Sequence, residues 1–288
     1  MPCCPPPERW VVRAQPWLGT LVEVALPPAE ANDERFAAAF AAIAHVHRRL
    51  NAHDPASDLS RIARSAHRRA VVVDRQTAMV LRMAQALTES TRGRFDATVP
   101  GRRGSHGTLA ALRFEPGRRV RTGAPTRIDL SGIAKGHAVD AAVDALRAVG
   151  ARAGHVNAGG DLRVFGAETW LPVRVRLPQD PAQTLPLFHL RQAAVATSAD
   201  YFREDPEGAL LDPRRRRHRP YAGSFTVVAP TCALADALTK VVALQPWRTA
   251  AWLSRHRAHA FRFDREGRCA TTCAASTPAL RLHPAWAA

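Results

Sequence analysis

Of the 41 lysines and arginines in this 288-residue chain, two are lysines, Lys135 and Lys240, and both stand where chemistry is possible. In IDLSGIAKG (128–136) a short apolar run ends in the carboxylate Asp129, a Ser-Gly loop follows, and Lys135-Gly136 opens a helical pattern. A helix start presents N–H groups that suit phosphate, and an adjacent ammonium adds charge there. Asp129 can accept from a ring N–H or a hydroxyl. A plain strand–turn–helix junction with a solvated lysine fits the same letters. In ADALTK (235–240) the spacing puts Asp236, Thr239 and Lys240 on one helical face. A carboxylate and a hydroxyl there suit a hard cation such as Mg²⁺, but on spacing alone an Asp–Lys ion pair within the helix is the better reading. FDATV (95–99), a brief extended piece, and NAGGD (157–161) complete the polar stretches; the first can be a plain edge strand segment whose Asp96 caps a turn, the second a plain hairpin.

Composition narrows the class. The chain is 46% hydrophobic and 23% charged, as in soluble globular proteins. No run approaches the roughly 18 apolar residues of a membrane span, and MPCCPPPERWVV carries no apolar signal core, so a cytoplasmic protein is expected, or a periplasmic one if the start is mis-assigned. The net charge of +16 raises nucleic-acid binding, but the arginines are dispersed and the one dense run, Arg214 to Arg219, has no aromatic interleaving for base stacking. Nucleic acid is therefore the reading of another class, set behind an enzyme. Five cysteines form no disulfide framework; Cys269, Cys273 and His283 make an incomplete zinc pattern, and free thiols are expected.

The elements that would carry these residues read as follows. WLGTLVEVAL (17–26) is a strand after a glycine turn. Helices are predicted over 32–50, with Asn32 or Asp33 as cap, from Ser57, over 75–91 up to Gly93, over the second half of 128–150 up to Gly150, with Ala138, Val139, Ala142, Val143, Leu146 and Val149 on one face and Asp140, Asp144 and Arg147 off it, over 232–244, and over 247–256. HVNAGGDLRVFG (155–166) is a hairpin about Gly159-Gly160. Strands are predicted near 118–122, 171–177, 185–191, 193–198, 224–230 and 258–263, with 200–222 a polar loop. Helices and strands mix without βαβ alternation, which predicts an α+β fold of largely antiparallel sheets with packed helices. No linker separates independent domains: one domain over 1–288, with two subdomains as an option and residues 1–8 disordered, is expected.

Order and combination add more. The chain resembles the ApbE family of FAD:protein FMN transferases: WLGTLVEV resembles its M-G-T strand, SDLSRIA its S-x-x-S-x-x-N helix, GRFDATV its G-x-F-D-x-T-V, DLSGIAKGHAVD its D-L-G-G-I-A-K-G-x-x-V-D. VNAGGD, AVATSADYFR and SFTVVAPTCALADALTK follow in the family's order. The resemblance implies an ApbE-like fold and transfer of FMN from FAD to a Thr or Ser hydroxyl of an acceptor protein, with release of AMP and help from Mg²⁺; some members mainly hydrolyse FAD. It places Leu18, His53, Arg94, Phe95, Asp96, Asp129, Lys135 and Leu210 on the flavin nucleotide, and the Gly132 carbonyl, Asp236 and Thr239 on the metal.

The pattern departs from the family at four places. His53 stands for an aromatic near the flavin. Ala209 replaces the histidine of the S-H-I-I-D-P loop, for which His218 is a candidate stand-in. The segment between FDATV and IDLSG is short. Lys240 occupies the family's threonine position, where its ammonium would pair with Asp236 and either weaken Mg²⁺ binding or supply part of its charge. The alternative function these departures leave open is a family descendant that binds or hydrolyses FAD without transfer.

Overall fold

A computed structural model describes residues 10–98, 108–199, 210–219, 223–244, 250–272 and 276–284. The expected disorder of 1–8, Ala209 and Cys273 fall outside them. In chain order the elements are β1 (Val11–Trp17), β2 (Thr20–Leu26), α1 (Asp33–Leu50), α2 (Asp58–Ser65), β3 (Val71–Val72), α3 (Arg75–Ser90), a 3-10 turn (Leu109–Ala111), β4 (Arg113–Glu115), β5 (Arg119–Arg121) and α4 (Ala134–Ala148). There follow β6 (Gly154–Ala158), β7 (Asp161–Phe165), β8 (Leu171–Arg176), β9 (Thr184–Leu190), β10 (Ala194–Ser198), β11 (Leu210–Asp212), β12 (Arg217–Arg219), β13 (Ser224–Ala229) and α5 (Cys232–Leu244). The chain ends with α6 (Ala250–Arg255), β14 (His259–Phe263), β15 (Cys269–Thr271), β16 (Ser276–Thr277) and β17 (Leu280–Leu282).

The backbone of the fold is an eight-stranded sheet in the order β1-β2-β6-β7-β10-β13-β14-β15. All of its neighbouring strands pair antiparallel, which matches the expected α+β class. Between β2 and β6 the chain leaves the sheet and builds α1 to α4. Helices α1 and α4 return to cover one face: Phe36, Phe40 and Ile43 of α1 and Val139, Val143 and Leu146 of α4 pack on Val22, Val24 and Val156. The four-stranded sheet β16-β17-β9-β8 covers the other, with Phe188, Leu187 and Leu280 against Val195, Val228 and Phe261. Strand β13 is buried along its whole length because both its faces are covered, so SFTVVA has no polar alternation. A third core joins α2, α3, α5 and the small β3-β5-β4 sheet.

Local signals explain most boundaries. Asn32 accepts from Arg35 N at 2.9 Å and Ser57 from Ser60 N at 3.1 Å, so α1 and α2 start at capping side chains. The predicted Gly159-Gly160 hairpin forms, with Ala158 opposite Asp161 and both glycines at positive φ.

Four expectations change. The N-terminal strand has a partner, β1, joined through Leu18-Gly19, both at positive φ. Most of FDATV is not a strand: Thr98 makes an isolated bridge to Ile128, and Val99 lies outside the described residues. Residues 210–219 are a hairpin rather than a polar loop: Asp212 accepts from Arg214 N and Arg215 N at 3.1 and 3.2 Å, and the arginine run is its turn and return strand. Asp140, expected off the apolar face, is 8% exposed, because its carboxylate caps α5, as described below. No helix among the described residues is long and apolar enough to cross a membrane.

Candidate active site

Helices α4 and α5 meet at their N-termini, and the sequence makes this contact possible at one residue. A Cβ on Gly136 would lie 2.3 Å from the Cys232 carbonyl oxygen and 2.7 Å from Ala233 N, both backbone atoms. The two helices cross this closely because residue 136 has no side chain. Asp140, one turn on, accepts from Cys232 N and Ala233 N at 2.9 Å each, capping α5 from outside the helix. Arg163 of β7 bonds the same carboxylate at 2.8 Å, so hairpin β6–β7, α4 and α5 are tied at one point.

That junction aims four charges at one another. Lys135, in the first turn of α4, reaches Asp161 at the start of β7. Lys240 of α5 reaches back one turn to Asp236. The second Asp236 oxygen accepts from Gly136 N at 3.3 Å. The helix start expected to offer N–H groups to phosphate therefore gives this one to a carboxylate. Asp161 is 1% exposed and Asp236 fully buried, while a third of the Lys135 side chain and nearly a quarter of the Lys240 side chain remain open. Burial, reinforced by the nearby Asp236 charge, pushes the Asp161 carboxyl up to about 6 against the pull of Lys135 and Lys240. Burial also works to raise Asp236, but Lys240 and Lys135 outweigh it and hold that carboxyl below its ordinary value. Lys135 is raised: burial opposes its charge, and Asp236 and Asp161 more than compensate.

Two cavities open on this cluster. The larger, about 710 Å³, lies between the end of α1, α2 and the start of α4, with Leu18, Leu50, His53 and Leu59 among its walls. The smaller, about 460 Å³, is bounded by Arg94, Phe95, Asp96, Ser198, Leu210 and Lys240. Asp129, Ser131 and Lys135 line both, so the loop before α4 is the partition between them. Asp129 holds the loop by accepting from Ser131 N at 2.8 Å.

The structure gathers nearly every residue singled out from the sequence. Leu18 and His53 line the larger cavity; Arg94, Phe95, Asp96, Gly132 and Leu210 line the smaller; Asp129 and Lys135 line both. Asp236 and Thr239 lie fully buried in α5. His218 on β12 lines neither cavity. Asp96 is a turn organiser: its carboxylate accepts from Thr98 N and Oγ1 at 2.9 Å each and from Thr108 Oγ1 at 2.6 Å. Asn157 likewise serves its hairpin, accepting from Gly160 N at 2.9 Å.

Sequence reasoning missed Asp161, read as a turn residue. Its signal was a carboxylate directly after Gly-Gly at the first position of a buried strand, where a charge needs a partner. Ser198, also missed, shares a 2.7 Å hydrogen bond with Thr239 Oγ1.

The divalent cation implied by the resemblance does not fit these residues as they are folded. One Asp236 oxygen carries the Lys240 ammonium and the other the Gly136 N–H. Thr239 Oγ1 donates to its own helix at the Asp236 carbonyl, 2.7 Å away. Beside Gly132 runs the Lys240 stem, its Cε 3.5 Å from where a Cβ would sit. Among the described residues no group of three His, Cys, Asp or Glu side chains is placed to hold a metal ion.

Known proteins share this arrangement of chain. The fold is similar to that of the ApbE protein from Thermotoga maritima, with a TM-score of 0.79, 25% identity, and coverage of 91% of this chain and 96% of that one. It is also similar to the flavin transferase ApbE from Vibrio cholerae, with a TM-score of 0.74, 21% identity, and coverage of 96% and 97%. A relative from Rhodobacter capsulatus named FAD:protein FMN transferase is 30% identical over 254 residues, 76% of this chain and 48% of that protein. The chain thus spans about half the length of that relative. The family model described as ApbE matches residues 18–262. With that match over most of its length, the chain belongs to the ApbE family.

Proposed function

We propose that the chain binds FAD across the two cavities and transfers its FMN moiety to a Thr or Ser hydroxyl of an acceptor protein, releasing AMP. The observation that carries this reading is the partition at Asp129, Ser131 and Lys135: a larger, mostly apolar space on one side, a smaller space with both lysines on the other. A flavin ring suits the first and a pyrophosphate the second. Family membership and the name of the Rhodobacter capsulatus relative point the same way.

In this reaction the acceptor hydroxyl oxygen attacks the phosphorus on the flavin side of the pyrophosphate. The bond from that phosphorus to the oxygen bridging to adenylate breaks, AMP leaves, and the hydroxyl proton goes to solvent. The chain's part is to hold the pyrophosphate in line with the hydroxyl and to balance charge on the phosphoryl oxygens. Lys135 does this from a fixed position, because Asp161 orients its ammonium. Lys240 holds the carboxylate that the Mg²⁺ implied by the resemblance would need.

The test is incubation with FAD and a threonine-bearing acceptor domain, read by covalent flavin fluorescence on a denaturing gel, a mass gain of one FMN moiety, and AMP release. FAD binding and AMP release without covalent flavin would replace transfer by hydrolysis. Absence of FAD binding would overturn the reading.

A further inference from the structure

The lysine that the family pattern does not predict stands where that pattern has its metal. Asp236 is fully buried and both its oxygens are engaged, one by Lys240 and one by the Gly136 N–H. The Lys240 stem runs over Gly132, the residue whose carbonyl would be the next ligand. Lys240 also lines the smaller cavity, with nearly a quarter of its side chain open to it. The second buried carboxylate, Asp161, is taken by Lys135. Two carboxylates and two ammoniums cancel, so the cluster is neutral before any ion arrives. A divalent ion at Asp236 would have to displace one ammonium and lie close to both, which like-charge repulsion opposes. An ammonium has three N–H donors; with one on Asp236, others remain for phosphoryl oxygens in the cavity.

We propose that the Lys240 ammonium is the resident cation of the phosphate cavity, contacting the FAD pyrophosphate in place of a divalent metal, so that the chain binds FAD without a metal at Asp236. The ligand in this statement rests on the FAD reading above; the occupancy of Asp236 does not. Lys240 forms and breaks no covalent bond. It neutralises phosphoryl oxygens as the phosphorus–oxygen bond to AMP opens, and keeps all its protons.

Two measurements on the full chain separate these parts. The first is titration with Mn²⁺ alone, followed by electron paramagnetic resonance, on wild type, Lys240→Thr and Lys240→Met. Wild type and Lys240→Met are expected to bind no Mn²⁺ below millimolar concentration, while Lys240→Thr, with its carboxylate freed beside two hydroxyls, gains one site. Stoichiometric Mn²⁺ binding by wild type in the micromolar range overturns the proposal, and this arm decides even if the variants fail to fold.

The second is FAD affinity by flavin fluorescence in EDTA and in Mg²⁺. Wild type is expected to show the same affinity in both, and Lys240→Thr an affinity at least tenfold weaker in EDTA that Mg²⁺ restores. Loss of wild-type FAD binding in EDTA overturns the proposal. Wild type that binds no FAD under either condition instead overturns the FAD reading, and with it the ligand assigned to Lys240, while the Mn²⁺ result still decides what occupies Asp236.

Discussion

Replacing Asp161 by asparagine is expected to make the protein more stable and its site worse. Asp161 is 1% exposed, and burial together with Asp236 raises its carboxyl from 3.8 to about 6. A group moved that far disfavours the charged form in the folded state by about 3 kcal/mol at neutral pH. Asparagine keeps the shape and removes the charge. Breaking a buried ion pair from one side normally costs several kcal/mol because the other charge is stranded. Here Lys135 is not stranded: a third of its side chain faces the cavity, and Asp236 is the carboxylate that acts on it most.

Allowing for the lost charge-assisted bond, the net gain is about 1–2 kcal/mol, a rise of about 2–3 °C in Tm for a chain of 288 residues. The sign with pH is distinctive. A carboxyl raised in the folded state favours folding most below 3.8, and that contribution is lost as pH rises through about 6. The advantage of Asp161→Asn should therefore be small at pH 4.5 and full at pH 7.5. Urea unfolding at the two pH values reads this directly, and flavin fluorescence should show weaker FAD binding because Lys135 has lost its tether. A variant less stable than wild type at pH 7.5, or equally stabilised at both, would refute the electrostatic reasoning.

Other expected outcomes concern the elements around the site. Gly136→Ala should cost about 3 kcal/mol or more in thermal or urea unfolding, since its Cβ would meet Cys232 and Ala233 backbone atoms and no side chain can turn away; a change under 1 kcal/mol would show that α4 and α5 can slide apart. His137 is buried, its Nε2 lacks a partner, and burial lowers it from 6.5 to about 4. The unfolded chain therefore takes up a proton between those values that the folded chain does not, and stability falls by up to about 3 kcal/mol as pH drops from 6.5 to 4. His137→Leu should flatten that slope, as read from urea midpoints at pH 6.5, 5.5 and 4.5; an unchanged slope assigns it to other groups. Leu18 holds φ at 58° in the β1–β2 turn while lining the larger cavity. Leu18→Gly relieves that backbone strain but removes a side chain packed on two cores, so unfolding stability should change by less than about 1 kcal/mol while FAD binding weakens; no loss of affinity would show that Leu18 does not touch the ligand.

What could be read from the sequence was whatever has a local cause. Caps at Asn32 and Ser57, the Gly-Gly turn and the long helices α1, α3, α4 and α5 each follow from neighbouring residues, and they appear where expected. Pairings with distant or weakly patterned partners were not legible. Strand β1, at VVRAQPW, is exposed along nearly its whole length, so it carries no burial pattern and is held by its ladder to β2. Strands β16 and β17 near the C-terminus are two and three residues long and exist through β9. Asp140 shows the same limit at a single residue. Polarity put it off the apolar face, but the N–H groups it satisfies belong to a helix 92 residues later. A one-dimensional hydrophobic face cannot register a carboxylate buried to cap another element. Asp161 was missed for the same reason, since its partner lies on α4.

The two lysines were legible for a different reason, and the structure gives that reason a physical form. In a chain that otherwise uses arginine for its basic residues, the two lysines are the two cations placed on the buried carboxylates Asp161 and Asp236. An arginine fork is strongest when it meets two coplanar acceptors. Asp236 offers it one oxygen, because the other accepts from Gly136 N at 3.3 Å. The methylene stem of Lys240 passes beside Gly132, its Cε 3.5 Å from where a Cβ on that residue would sit. Asp161, 1% exposed at the start of β7, is again partnered by an ammonium. An ammonium can leave one N–H on its carboxylate and turn the others to a phosphoryl oxygen, whereas a bidentate clamp would commit both charges to each other. The rare residue type marks the place where a point charge on a thin stem is needed at the edge of a cavity. At the junction of α4 and α5 two such charges, Lys135 on Asp161 and Lys240 on Asp236, stand side by side at the cavity edge.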